Sequence, residues 1–343
     1  MTLKEIAKEA NVSISTVSRV INNKGKSVAS KEVQDRIWDI VRKTNYVPNS
    51  AAQSLRSGHE QTRHGADGTI ECFFGRTLFY SKDQFFSELA RAVEVEALGL
   101  NYVLRYSYTP LALQDETTRR SLANSDACGL VILGRCDKAT TQLLRKHFKN
   151  ICYVGLNYSQ PECDQVICDG REASKAAVEH LIGLGHKRIG YIGEARDEIR
   201  YIGYRDAMID GKLPTDSSLV SNALLSYDGG YNGAKKLLAA APDVTAVFCA
   251  NDITAVGAMR AFQESGLSIP KDISVIGVDN IETAKYLTPP LTTIHIPIEE
   301  MGQHAAKLLV DRINKGHKTP VRLMLPYHLE VRESCGPPRK NKL

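Results

Sequence analysis

Along the first forty-odd residues, apolar positions recur at spacings of three and four, the period of an amphipathic helix. Leu3, Ile6, Ala7 and Ala10 make one stripe, Thr16, Val17, Val20 and Ile21 a second, and Val33, Ile37, Ile40 and Val41 a third. Helix punctuation separates them. Thr2 and Glu5 have capping-box spacing, Asn11 tolerates the left-handed conformation of a tight turn, and Ser13 and Ser30 stand where N-caps belong. From Thr69 the pattern changes. Short apolar runs at 69–74, 102–106, 129–133, 151–156, 165–168, 188–192, 246–250, 273–278 and 292–296 read as strands. Amphipathic stretches at 84–98, 139–148, 171–184, 231–239, 253–265 and 299–314 read as helices between them. Such alternation predicts parallel sheets with helices on both faces. About 265 residues of it exceed one doubly wound unit, so two similar lobes are expected.

The expected fold class is therefore an all-α helix-turn-helix headpiece over 1–58, a polar linker over 59–68, and an α/β core over 69–333. That core would consist of two doubly wound parallel-sheet lobes. The tail 334–343 (SCGPPRKNKL), with two prolines and three basic residues, is expected to be disordered. It carries no leucine repeat that could zip dimers into tetramers.

Charge sharpens this division. Of the 44 Lys/Arg and 39 Asp/Glu in 343 residues, the first 58 hold ten and five, which leaves 34 of each in the remainder. The whole excess of positive charge lies in the headpiece, and a short basic module on a neutral body suits a polyanion partner for the module alone. The eight cysteines show no CxxC pair and no zinc spacing; Cys72, Cys152 and Cys249 fall inside apolar runs and are expected to be reduced core residues. No run of eighteen apolar residues and no secretory signal pattern is found, so a cytoplasmic protein is expected. Glycine-rich nucleotide loops, a nucleophile elbow and metalloprotease motifs are also missing; neither enzymatic activity nor a cofactor is expected. His180 and His186 flank a helix end, where capping or packing accounts for them.

Ala7, Asn11 and Val17 have the spacing of a helix-turn-helix: a small residue at the crossing, a turn residue, and a β-branched residue filling the angle. The second helix would enter the major groove by its N-terminal end. Ile14, Ser15, Ser18 and Arg19 then point outward, with Ile14 suited to a thymine methyl, Ser15 to a base edge and Arg19 to the guanine O6/N7 pair. Lys4, Lys24, Lys26, Lys31 and Arg36 are candidates for phosphate contact.

The run TLKEIAKEANVSISTVSRVIN from Thr2, followed by NYVPNSAAQSLRSG from Asn45, resembles the headpiece of the LacI/GalR (lac/gal repressor) family. VEHLIGLGHKRIGYIG, VFCANDITAVGAMRAF, GLSIPKDISVIGVDN and LTPPLTTIHIPIEEMG resemble its effector-binding core, so the likeness spans nearly the whole chain. The resemblance implies a hinge helix at about 49–56, with Leu55 as the apolar wedge at the operator centre. It implies a DNA-contact set of Thr2, Ser13, Ile14, Ser15, Thr16, Ser18, Arg19, Asn22, Lys31, Tyr46, Asn49, Ala52, Leu55 and Arg56. It also implies a periplasmic-binding-protein-like core whose chain crosses between lobes near 161–165, 290–296 and 322–327. Lobe one would take about 69–161 and 295–322, and lobe two about 162–294 and 323–333.

Ligand contacts carried over by the resemblance are Phe79, Asp83, Asn157, Arg200, Asn251, Asp252 and Asp279, with Tyr80 and Phe86 beside the first of them. For each of Asp252 and Asp279, helix capping is the alternative. Asn157 stands where many sugar-responsive members carry Asp, Ile296 where a polar contact is expected, and Cys168 where relatives can be aromatic. The function implied is a homodimeric DNA-binding repressor of a sugar-utilisation operon. Its affinity for a pseudo-palindromic operator would be switched by a sugar or sugar phosphate between the lobes. The alternative is a soluble sugar-binding protein without a gene-regulatory role.

Overall fold

The computed structural model describes residues 3–22, 29–44, 68–75, 83–157 and 162–339. The chain divides into two compact units, 1–62 and 63–343. In the first, α1 (Leu3–Glu9), α2 (Ile14–Asn22) and α3 (Lys31–Thr44) pack on one another. Asn11 adopts φ +53°, and the Val12 amide donates back to the Ala7 carbonyl at 3.0 Å, which closes the turn between α1 and α2. Ile6, Ala10, Val17, Val20, Ile37 and Ile40 form the core that the three apolar stripes predict. Burying side chains as large as Ile6 and Ile37 stabilises the bundle by about 1.5–3 kcal/mol each.

The second unit contains two six-stranded sheets. Sheet one joins β1 (Thr69–Phe74), β2 (Val103–Tyr108), β3 (Gly129–Leu133), β4 (Ile151–Gly155), β5 (Asp164–Cys168) and β11 (Arg322–Leu325) in the order β11-β5-β4-β3-β1-β2, all parallel. Sheet two joins β6 (Ile189–Gly193), β7 (Val220–Asn222), β8 (Ala246–Cys249), β9 (Ser274–Asp279), β10 (Thr292–His295) and β12 (His328–Glu330) in the order β12-β10-β9-β8-β6-β7. Only the β10–β12 pairing is antiparallel. Helices α4 (Gln84–Gly99), α5 (Glu116–Ala123), α6 (Lys138–His147) and α11 (Ile298–Ile313) belong to lobe one. Lobe two has α7 (Gly170–Gly183), α8 (Ile199–Asp210), α9 (Tyr227–Ala240) and α10 (Asp252–Glu264). Strands such as VFCA and SVIGVD are buried along their whole length because helices cover both faces, as their unbroken apolar runs require. Among the described residues no helix is long and apolar enough to cross a membrane.

Several expectations need correction. Lobe one does not end at 161: Asp164–Cys168 pairs in parallel with β4, Gly155 beside Ile167, so the first crossing falls at Asp169. There Asp169 caps α7 by accepting from the Arg171 amide at 3.0 Å. The second crossing falls between His295 and Ile298, and the third between Leu325 and His328. Helix α8 lay unread in RYIGYRDAM; it forms because Tyr204 buries its ring and donates to the Ile189 carbonyl at 2.8 Å. Gly203 lets it approach α7, where a Cβ would meet Ser174 and the Lys175 amide at 3.0 Å. Nor is the tail disordered from 334. Ser334 Oγ donates to the Val275 carbonyl at 2.6 Å and accepts from the Thr292 amide at 2.7 Å. His186 Nε2 donates to the Gly336 carbonyl at 2.8 Å, which leaves Nδ1 to accept from Thr245 Oγ1 at 2.9 Å. Backbone groups of sheet two and the His186 side chain thus hold a segment whose composition alone reads as loose.

A buried ion cluster pins the far end of lobe one. Asp164, at the N-terminal end of β5, pairs with Arg312 through both oxygens, accepts from the Val321 amide at 2.8 Å and meets His317 Nε2 at 2.9 Å. His317 Nδ1 meets Asp311 at 2.5 Å. Burial works to raise the Asp164 carboxyl, but these donors outweigh it and hold the group below its ordinary 3.8. The bond to Asp311 chiefly, with Asp164 behind it, raises His317 above 6.5. A raised folded-state value contributes stability that is complete below 6.5 and is lost as pH rises through the folded value. The Tm of the core should therefore decline above pH 6.5, and His317→Gln should flatten that decline. Parallel slopes for the two proteins in a pH series of thermal melts would discard the assignment.

Candidate functional site

A cavity of about 510 Å3 opens between the lobes at the carboxyl ends of both sheets, where open α/β sheets receive ligands. Lobe one contributes Gly134 and Arg135 after β3, Gly155 at the end of β4 with Leu156 and Asn157 after it, and Asp83, Phe85 and Phe86 at the start of α4. Lobe two contributes the turns after β6, β7 and β8 and the end of β9.

Helix starts ring this cavity. Asp83 caps α4 by accepting from the Phe86 amide at 3.4 Å, and Glu198 caps α8 by accepting from the Arg200 amide at 3.4 Å. Ser226 caps α9 through the Gly229 amide at 3.0 Å, and Asn251 caps α10 through the Thr254 amide at 3.1 Å. Arg200 is only 6% exposed, and its Nε donates to Glu198 Oε1 at 2.8 Å. Burial works against the guanidinium charge, but Glu198 and Asp279 overcome it and raise the pKa. Asp279 has φ +121° and Asn280 φ +57°, a conformation that costs a non-glycine residue energy and is found where structure over-determines a site. Asn157 Oδ1 is a buried acceptor in the cavity wall with no hydrogen-bond partner among the described residues. Phe85 and Phe86 meet edge to face at 5.2 Å, and Tyr153 and Tyr227 add two more aromatic rings to the wall.

Of the ligand contacts expected from the sequence, Asp83, Asn157, Arg200, Asn251 and Asp279 line the cavity, as does Phe86. Asp252 does not. Its carboxylate accepts from Thr293 Oγ1 at 2.6 Å and from the Ile281 amide at 3.0 Å, in space that Gly277 leaves open. Burial raises its pKa to about 7 against those two bonds. Ligand contact is thus corrected to a structural post that ties α10 to β9 and β10; the cap of α10 is Asn251. Ile296 is buried and outside the cavity lining, and Cys168 lies in the core with its thiol pushed up to about 12 by burial. Sequence reasoning missed Arg135, Tyr153, Glu194, Glu198, Tyr227 and Asp228. Position was the signal available for Arg135, Glu194 and Glu198, which follow the apolar runs of β3 and β6.

In the headpiece, Ser13 Oγ accepts from the Thr16 amide at 3.1 Å and lies 2.8 Å from both Ser15 Oγ and Thr16 Oγ1. The cap thus turns the start of α2 outward, where Ile14 is 41% exposed and Ser15 is exposed. Lys31, opening α3, and Arg36 are exposed as well. Ser18, Arg19 and Asn22 lie on α2, but their side chains are outside those described, as is that of Lys4. Thr2, Lys24, Lys26, Tyr46, the hinge residues Asn49, Ala52, Leu55 and Arg56, and Phe79 and Tyr80 fall outside the described residues.

Comparison with known proteins now bears on both units. Residues 2–49 match the model for bacterial regulatory proteins of the lacI family, and residues 178–335 that for a periplasmic binding protein-like domain. The HTH-type transcriptional repressor PurR of Aliivibrio salmonicida is 32% identical over 96% of this chain and 97% of its own. The chain belongs to the LacI family. A solved complex of the transcriptional regulator CelR with cellobiose superposes with a TM-score of 0.72 at 29% identity, covering 97% of this chain and 99% of that one. The lac repressor dimer bound to operator shares the fold, with a TM-score of 0.79 at 24% identity over 97% of this chain and 98% of its own. As a LacI-family member the chain is a DNA-binding transcription repressor with a ligand-binding core, and not an enzyme. Family membership sets aside the alternative of a sugar-binding protein with no regulatory role.

Proposed function

We propose that this repressor acts in the cytoplasm as a homodimer on a pseudo-palindromic operator of a sugar-utilisation operon, and that a small carbohydrate in the interlobe cleft sets its operator affinity. The observation that carries the carbohydrate is the cavity wall itself. It brings aromatic rings together with acceptors fixed near strand ends, including an Asn157 oxygen that has no donor among the described residues. Sugars present that combination of apolar ring faces and hydroxyl donors. The complex of the similar CelR with cellobiose supports the same class. By linkage, the factor by which ligand changes operator affinity, typically about 5–150-fold, is the factor by which operator changes ligand affinity.

On the DNA side, α2 reads bases through Ile14, Ser15, Ser18 and Arg19, with Ser13, Thr16, Asn22 and Lys31 beside them. Thr2, Tyr46, Asn49, Ala52, Leu55 and Arg56 complete the contact set. Two-fold symmetry in the dimer requires half-sites related by the same symmetry. Arg19→Ala should lose about 1–3 kcal/mol of discrimination at one base pair. Lys31→Ala should weaken all sequences alike and reduce the salt slope by about one. Fluorescence anisotropy on a selected operator and its single-base variants separates the two. If Arg19→Ala leaves the ranking of half-site variants intact, the readout assignment is wrong.

A further inference from the structure

Building on the carbohydrate reading, we infer that the cleft selects an uncharged, polyhydroxylated ligand and rejects phosphorylated or acidic sugars. The described lining holds the carboxyl groups of Asp83, Glu194, Glu198, Asp228 and Asp279 against two guanidinium groups, a formal charge of −3. Neither guanidinium is left over for an anion. Arg200 is spent on Glu198 at 2.8 Å and faces the charge of Asp279. Arg135, from lobe one, reaches across to lobe two, pairing with Glu194 at 3.4 Å and donating to the Asp197 carbonyl.

The helix starts around the cavity would ordinarily be the other attraction for a phosphate. Here the chain's own acids occupy them. Asp83 caps α4, Glu198 caps α8, and Asp228 lies in the first turn of α9. The α10 start is capped by Asn251 and carries Asp252 in its first turn. Among the described residues, a phosphate brought into this site would lose its water and meet no free cation, while facing like charge. Donor count points the same way. Among the described residues Asn157 Oδ1 has no donor, and a sugar hydroxyl supplies one where an ionised phosphate or carboxylate group does not.

The test uses the full chain and matched pairs: cellobiose with its 6-phosphate, glucose with glucose 6-phosphate, ribose with ribose 5-phosphate, and galactose with galacturonate. Affinities come from titration calorimetry and thermal shift. In at least one pair the neutral member should bind at least about 100-fold more tightly than its anionic counterpart, since like-charge juxtaposition outweighs two tenfold steps. Glu194→Gln, which releases Arg135, should narrow that ratio at least about tenfold, and Asp228→Asn, at an exposed position, should narrow it too. An anionic member that binds as tightly as its neutral partner overturns the inference while leaving a carbohydrate effector in place. An unchanged ratio in both variants overturns its electrostatic basis. Failure of every pair to bind overturns the inference together with the carbohydrate reading.

Discussion

A fragment that begins at Gly68 loses operator binding by at least about a thousandfold and keeps its ligand-induced rise in Tm. The loss follows from where the charge lies, because all five net positive charges of the chain fall within the first 58 residues. Electrostatic attraction to phosphate supplies essentially all non-specific affinity, and base contacts add typically a thousandfold or more. Both would leave with the headpiece. The remainder keeps its fold because 63–343 is a compact unit with its own core. Mobility-shift assays over a salt series, beside melts with and without ligand, measure both halves of the expectation. Retention of operator binding by the fragment would place DNA recognition in the lobes and end the headpiece assignment.

Arg200→Ala costs the core about 3–5 kcal/mol and abolishes the response to ligand. Glu198 is 1% exposed, so removing its partner leaves a buried carboxylate uncompensated, with Asp279 close by. For a core of this size that cost corresponds to a fall in Tm of about 5–9 °C. Stability and recognition can be separated. Arg200→Met combined with Glu198→Gln removes both buried charges and should regain most of the Tm, yet it still lacks the guanidinium at the cleft and should still ignore ligand. A double variant that binds ligand as the parent does would show that Arg200 acts on stability alone.

The hydrophobic pattern by itself determined the three-helix headpiece, nine of the strands to within two residues at either end, and the alternation that makes two lobes. Those features depend on local periodicity and on burial from both faces, which single runs such as TIECFF and GLVIL already display. Ser13 and Asn11 were legible for the same reason, because a cap and a turn are satisfied by atoms within five residues.

Tertiary structure decided the rest. β7, β11 and β12 are short strands of three or four residues, and they exist because a neighbouring strand offers them partners. Ser334 and Gly336 are ordered by Val275, Thr292 and His186, residues 40 or more positions away. Asp252 could be read as contact or cap, and only the approach of Thr293 and Ile281 turned its carboxylate inward. The Arg135–Glu194 bridge joins residues 59 apart in different lobes, and no periodicity encodes such a distance. Local sequence sets which face of an element is apolar; which polar groups end up paired depends on what the fold brings opposite them.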